Sequence, residues 1–210
     1  LVCTHAGILT GEDGMSAQAI EDLALACSLS GFTVVCPSDS VETAQVVRAA
    51  AANDGPIYIR LARAATPVIH SQDYKYTPDK SEVIRSGNDV SIIATGVMVD
   101  AALTASGILA AEGITCGVVN MHTIKPIDVE MILRLARTAR VLLTAEEHVL
   151  TGGLGSAVAE VLVDELETRL PMLKRIGLPD AFPTEYGSQE TMMETFGLGA
   201  APIADAVRAA

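Results

Sequence analysis

The sequence has no tryptophan, and aromatic residues make up 3% of its 210 positions. So few rings cannot stack on a run of bases. Its 14 Lys and Arg stand against 26 Asp and Glu, and the resulting net charge of -12 repels phosphate backbones and anionic membrane surfaces. Neither nucleic acid nor membrane is expected as a partner. Cysteine is scarce as well: Cys3, Cys27, Cys36 and Cys116 form no C-x-x-C pair and have no histidine nearby at ligand spacing. They read as reduced thiols in a cytoplasmic core, with no metal site. No apolar run approaches the ~20 residues that cross a bilayer, and no basic segment precedes a signal-like stretch. An initiator Met is also missing. Leu1-Val2-Cys3-Thr4 reads as a strand already under way, so the chain is expected to be a fragment, a processed product or an incomplete chain.

What is present is a large apolar fraction, 50%, mostly Ala, Val, Ile and Leu. Short β-branched runs alternate with Ala-rich helical stretches, the pattern of a mainly parallel sheet covered by helices. Strands are expected near Val2, at Phe32–Cys36 and at Ile57–Leu61, with helices at 17–30 and after Asp39. Asp39 and Glu42 stand three residues apart, like a capping box. Pro67, Pro78 and the polar run at 71–75 then suggest an irregular connection. A second series follows, with strands at 90–95, 114–121, 141–145 and 173–178 and helices at 99–113, 128–136, 152–166, 188–196 and 200–209. The expected fold is α/β: two consecutive three-layer αβα units with mainly parallel sheets, the first incomplete at its N-terminus. Residues 1–66 form the first unit, 67–88 a linker and 89–210 the second.

The loop Thr4–Gln18 follows a strand and precedes a helix, and ligands of open α/β sheets gather at the carboxyl ends of strands. Within it His5, Glu12, Asp13 and Gln18 offer donors, acceptors and charge. A solvated turn would use the same residue types, and spacing alone favours that plainer reading. Arg60 and Arg63 close the third strand, where a guanidinium suits bidentate contact with a phosphate or another acid group; a surface salt bridge is the equal alternative. Their side chains fall on opposite faces, so at most one reaches a ligand. Glu146-Glu147-His148 is expected just after a strand. Adjacent residues lack the separated geometry that a metal needs, and the Gly152-Gly153-Leu154-Gly155 run fits a tight strand-to-helix turn better than a dinucleotide fingerprint, because Val158 stands where a small residue is required. Gly11-Glu12-Asp13-Gly14 lacks the downstream Asn of a metal-diphosphate motif. His70 and His122 have no catalytic neighbours in sequence.

Taken together, the segments His5–Ala24, Val35–Thr43, Gly55–Arg63, Thr95-Gly96, Met121–Asp128 and Glu146–Val158 resemble the transketolase family over essentially the whole chain. The resemblance implies the end of a pyrimidine-binding domain followed by a transketolase C-terminal domain. It also implies dependence on thiamine diphosphate and Mg²⁺, whose diphosphate and metal ligands are not in this chain. The implied reaction transfers a two-carbon ketol unit from a ketose (phosphate) donor to an aldose acceptor. By the same resemblance, His5 and Arg63 match positions that hold the donor's terminal phosphate or acid group, and Asp13 matches a carboxylate that contacts a donor hydroxyl. Ala17 replaces the family's second loop histidine, and the glutamate that activates the cofactor lies upstream of Leu1. The chain alone is thus expected to be inactive. It would need a companion N-terminal chain or domain and a homodimer or heterotetramer to complete the site. The alternatives are a 1-deoxyxylulose-5-phosphate synthase, a 2-oxo-acid dehydrogenase β-type subunit, or a non-catalytic partner of the same fold. The Thr4-His5-Ala6 opening and the Glu146–His148 triplet favour transketolase over the synthase.

Overall fold

The computed structural model describes residues 1–63, 65–167 and 169–210. The first unit runs β1 (Val2–Cys3), a 3-10 stretch at Ile8–Asp13, α1 (Asp22–Ser28), β2 (Thr33–Val35), α2 (Ser40–Ala51) and β3 (Ile57–Arg60). The second runs β4 (Glu82–Arg85), β5 (Val90–Ala94), α3 (Met98–Ala111), β6 (Cys116–Asn120), β7 (Thr123–Lys125) and α4 (Val129–Thr138). It ends with β8 (Val141–Val149), α5 (Leu154–Glu165), β9 (Met172–Leu178), α6 (Gln189–Thr195) and α7 (Ala200–Arg208). Two sheets result, in the orders β1-β3-β2-β7 and β4-β6-β5-β8-β9. All pairings are parallel except those of β7 and β4, one edge strand of each sheet.

Burial on both faces explains the near-continuous apolar strands. All five residues of β5 are buried, as parallel strands between helical layers require. Successive side chains alternate between faces. Ile92 and Leu143 pack with Met98, Leu109 and Ile203 from α3 and α7, whereas Ile93 and Leu142 pack with Ile132 and Val158 from α4 and α5. The first sheet is layered in the same way, with Val34 and Tyr58 near Leu23 of α1 and Val35 and Ile59 against Val46 of α2. Leu23 belongs to the same apolar cluster as Ile132 and Leu142, so α1 joins the two cores.

Four local expectations change. The first helix begins at Asp22 rather than near Ala17. The carbonyl of Ala19 accepts from the Gly7 N–H and the Arg60 guanidinium, and that of Ile20 accepts from the Val149 N–H. These oxygens are therefore taken by tertiary donors instead of helical ones. Strand β8 continues through Glu146-Glu147-His148 to Val149, so the triplet lies inside the sheet rather than after it. The 67–88 stretch contains the edge strand β4, paired antiparallel with β6, and the buried His70, whose N–H and ring Nδ1 both lie against Asp39 Oδ2 at 2.8 and 2.9 Å. Finally, Thr123–Lys125 leaves the second unit's series to add β7 to the first sheet. Asp39 does cap α2, accepting from the Glu42 N–H at 2.8 Å. Glu42, however, reaches back to the Ser38 N–H at 2.7 Å, not to the cap residue itself.

Candidate active site

Strands β1 and β3 are parallel neighbours, with Cys3 opposite Arg60. Both therefore release their chains at the same edge of the sheet. Thr4 and His5 leave β1 beside Leu61 and Arg63 leaving β3, and the Ala6 N–H donates to the Leu61 carbonyl at 3.2 Å. His5 takes a left-handed backbone, φ 64°. Gly7, also left-handed at φ 79°, then turns the chain into the 3-10 stretch that ends at Asp13. At this carboxyl edge Arg63 Nη1 donates to Asp13 Oδ2 at 2.9 Å and to the Thr10 carbonyl at 2.7 Å. The Thr10 hydroxyl donates to the His5 carbonyl at 2.6 Å. Thr10 thereby links His5 to the Arg63–Asp13 pair.

The pair is half-exposed, 39% for the Arg63 side chain and 48% for Asp13. An ion pair so open to water contributes at most about 1 kcal/mol. It can be exchanged for a ligand contact at small cost. Among the described residues, Nη1 is the atom of Arg63 that makes hydrogen bonds. The His5 ring is exposed and its Nδ1 meets Thr4 Oγ1 at 2.9 Å. Glu12 and Ala17 are exposed. Gln18 behaves differently: its amide oxygen and nitrogen are both shielded from solvent and have no hydrogen-bond partner among the described residues. A buried amide left so costs about 1–3 kcal/mol.

Arg60, the other candidate guanidinium, is 4% exposed and points into the protein. Its Nε lies 2.9 Å from Asp22 Oδ2, its Nη2 donates to the Glu147 carbonyl at 2.9 Å, and its Nη1 is 3.5 Å from Glu147 Oε2. The Tyr58 hydroxyl donates to the same Asp22 carboxylate at 2.6 Å. Asp22 comes from α1, Arg60 and Tyr58 from β3 and Glu147 from β8, so this cluster ties the two sheets together. Burial pushes the Glu147 carboxyl up to about 7, an effect that Arg60 and the Leu9 N–H offset only in part.

The remainder of the triplet is likewise occupied. Glu146 accepts from the Leu154 and Gly155 N–H groups at 2.6 and 2.8 Å, filling the N-terminal donors of α5. Burial raises this carboxyl to about 7 as well. A Cβ on Gly153 would run into the Glu146 carboxylate. Close approach therefore explains this glycine, as a tight strand-to-helix turn demands. His148 Nδ1 lies 2.6 Å from the Val149 carbonyl, and its Nε2 accepts from the Ala24 N–H at 3.3 Å. Those partners fix the neutral ring with its proton on Nδ1, and burial holds its pKa down. Sequence spacing gave no hint of the Asp22–Arg60–Glu147 cluster, since its members lie 38 and 87 positions apart.

Arg63, Asp13 and His5 thus stand on one loop edge at the carboxyl ends of parallel strands, the place where ligands of open α/β sheets gather. Comparison with known proteins goes further. Residues 1–68 match the transketolase pyrimidine-binding domain and residues 79–203 the transketolase C-terminal domain. A 6-deoxy-6-sulfo-D-fructose transketolase subunit from Clostridium sp. (strain MSTE9) is 39% identical over all of this chain and 63% of its own length. A 1-deoxy-D-xylulose-5-phosphate synthase from Geobacter sulfurreducens is 40% identical over 97% of this chain, but over only 32% of its own length. A solved split-gene transketolase, described as an inactive beta4 tetramer, superposes with a TM-score of 0.90 at 42% identity, covering 100% of this chain and 65% of its own. The chain belongs to the transketolase family. It spans 59–63% of the length of three curated relatives that it matches.

Proposed function

We propose that the chain supplies the donor-sugar side of a thiamine-diphosphate-dependent, transketolase-like active site. The complete enzyme transfers a two-carbon ketol unit from a ketose (phosphate) to an aldose. The observation that carries this reading is the Arg63–Asp13 pair at the carboxyl edge, which Thr10 joins to the backbone of His5. In the proposed roles, Arg63 and His5 hold the donor's terminal phosphate or other acid group, the fork of Arg63 replacing its loose contact with Asp13 by a bidentate one. Asp13 then accepts from a donor hydroxyl and orients the sugar.

The residues present suit one part of a cofactor site. The shielded, unpartnered amide of Gln18 calls for a polar group from a ligand or a companion chain. The reading assigns the diphosphate and its Mg²⁺ to a companion chain or domain. Thiamine diphosphate, when bound, supplies the electron sink for the ketol carbons. The residues of this chain bind, orient and desolvate the sugar. The reading includes a homodimer or heterotetramer that completes each centre, inactivity of the chain alone, and a cytoplasmic location, which the free thiols Cys3, Cys27, Cys36 and Cys116 support. No helix is long and apolar enough to cross a membrane among the described residues.

The 40% identity to a deoxyxylulose-phosphate synthase favours that synthase as the second reading. Reconstitution with a companion chain, thiamine diphosphate and Mg²⁺ separates the two. Two-carbon extension of an aldose by a ketose phosphate is expected. Formation of 1-deoxyxylulose 5-phosphate without that extension would replace the first reading by the second.

A further inference from the structure

We infer that the C-terminal unit positions the donor-binding loop: Glu147 and Gln189 clamp the peptide groups of Leu9 and so fix where His5 and Asp13 stand. This rests on the function proposed above and gives the second unit a task within it.

Within the first unit the loop between His5 and Asp13 is held at its ends, by the Ala6 and Gly7 N–H groups on the Leu61 and Ala19 carbonyls and by Thr10 on His5 and Gly7. Its 3-10 stretch of six residues is broken by Gly11, whose φ of 70° and ψ of -114° are not helical. Leu9, at the centre, gives both of its backbone polar groups to the other unit. Its N–H donates to Glu147 Oε1 at 2.7 Å, from β8. Its carbonyl accepts from Gln189 Nε2 at 3.1 Å, from α6. Leu9 and its neighbour Ile8 are buried at 5% and 0% exposure, so neither amide can turn to water instead. Ile8 lies in the main core cluster of the second unit.

The fit around Glu147 is close. Gly7 lies so near that a Cβ there would overlap the Glu147 carboxyl carbon and both its oxygens. The second oxygen, Oε2, faces Arg60 Nη1 at 3.5 Å. Two donors from the first unit thus meet two acceptor oxygens from the second, and only a carboxylate supplies both. An amide at this position has one acceptor and turns its NH₂ either on the Leu9 N–H or on Arg60. The clamp stands one residue from Thr10, whose carbonyl and hydroxyl join Arg63 to His5. A loosened Leu9 therefore loosens Thr10 and, through it, the hold on Arg63 and His5.

The test uses the complete enzyme carrying Glu147→Gln or Gln189→Ala. Gln189 is only partly buried on the short helix α6, so its substitution keeps the question open if the buried Glu147 variant fails to fold. Two readouts are taken: amide exchange of the peptide spanning residues 5–15, and KM for donor and acceptor separately. Loss of one such hydrogen bond is expected to raise loop exchange and donor KM by about 3–10-fold in Gln189→Ala and by about 10–30-fold in Glu147→Gln. The acceptor KM should stay within about twofold, as should exchange in β5 and β6. Unchanged loop exchange in Gln189→Ala would overturn the clamp, as would faster exchange that leaves donor KM untouched. If the unsubstituted complex transfers no ketol unit, the functional reading fails by itself, and the exchange of residues 5–15 still decides whether the second unit holds the loop.

Discussion

Arg60 and Arg63 stand three residues apart on one strand and its extension, yet they do opposite things. Arg60 is sealed between Asp22 and Glu147 at 4% exposure; Arg63 lies over the rim beside Asp13 at 39%. The first contact is desolvated; its two carboxylates also accept from the Tyr58 hydroxyl and the Leu9 N–H, and the Glu147 backbone carbonyl accepts from Arg60 as well. The second is wet and makes few demands. A guanidinium paired deep between two sheets belongs to the architecture, since removing it strands two carboxylates. One paired loosely at a strand's carboxyl end is available to a ligand. Position along the strand, rather than residue type, separates the sealed guanidinium from the open one.

Substitution can break that contrast. The largest expected effect is at Arg60. Arg60→Met leaves Asp22 and Glu147 buried without their cation and should lower stability by about 3–5 kcal/mol, read by denaturant or thermal unfolding. A loss below about 1 kcal/mol would mean that the cluster does not hold the units together. Acidity probes the same region. Burial lifts Glu146 and Glu147 from the 4.5 of a free glutamate to about 7. The folded chain therefore binds more protons than the unfolded chain between those values. Their contribution to stability is fully present below 4.5 and is lost as pH rises through about 7.

Asp39 behaves in the opposite sense. Burial raises its carboxyl, but the N–H groups of Glu42, His70 and Ile69 and the His70 ring outweigh this and hold it below 3.8. Its contribution is present above 3.8 and lost on acidification. The unfolding midpoint should thus fall between mildly acidic and neutral pH, and this fall should shrink in Glu147→Gln. An equal fall in that variant would remove Glu147 as a cause. The smallest effect on stability is expected at the rim. Asp13→Ala should change unfolding by less than about 1 kcal/mol while lowering kcat/KM of the complete enzyme by a factor of about 10–100. Unchanged kinetics would take Asp13 out of the site.

Much of the architecture was legible because burial on both faces writes itself into composition. The runs Val90–Ala94 and Val141–Ala145 are almost uninterrupted apolar stretches, and the helices between them carry the periodicity of their buried faces. Asp39 announced the start of α2 through its own side chain. Less was legible where the partner is remote. The helix start at Asp22 depends on donors from Gly7, Arg60 and Val149 that capture the carbonyls of Ala19 and Ile20. The charged run Glu146-Glu147-His148 resembled a loop because polar residues rarely sit inside a central strand, yet each has a partner supplied from elsewhere. The edge strand β4 was hidden by its mixed sequence Glu82-Val83-Ile84-Arg85, with one side open to water. The candidate site was readable as a loop motif, but the assignment of Arg60 to the scaffold and the hold on Leu9 were not, since both depend on contacts more than 80 residues distant.

The central claim, that the carboxyl edge of the first sheet receives the acid group of a donor sugar, is tested most directly by Arg63→Ala in the complete enzyme with paired donors differing only in a terminal phosphate. KM for the phosphorylated donor is expected to rise by about 10–100-fold while that for the neutral donor changes by less than about twofold. Equal losses for both donors, or no loss for either, would contradict the claim.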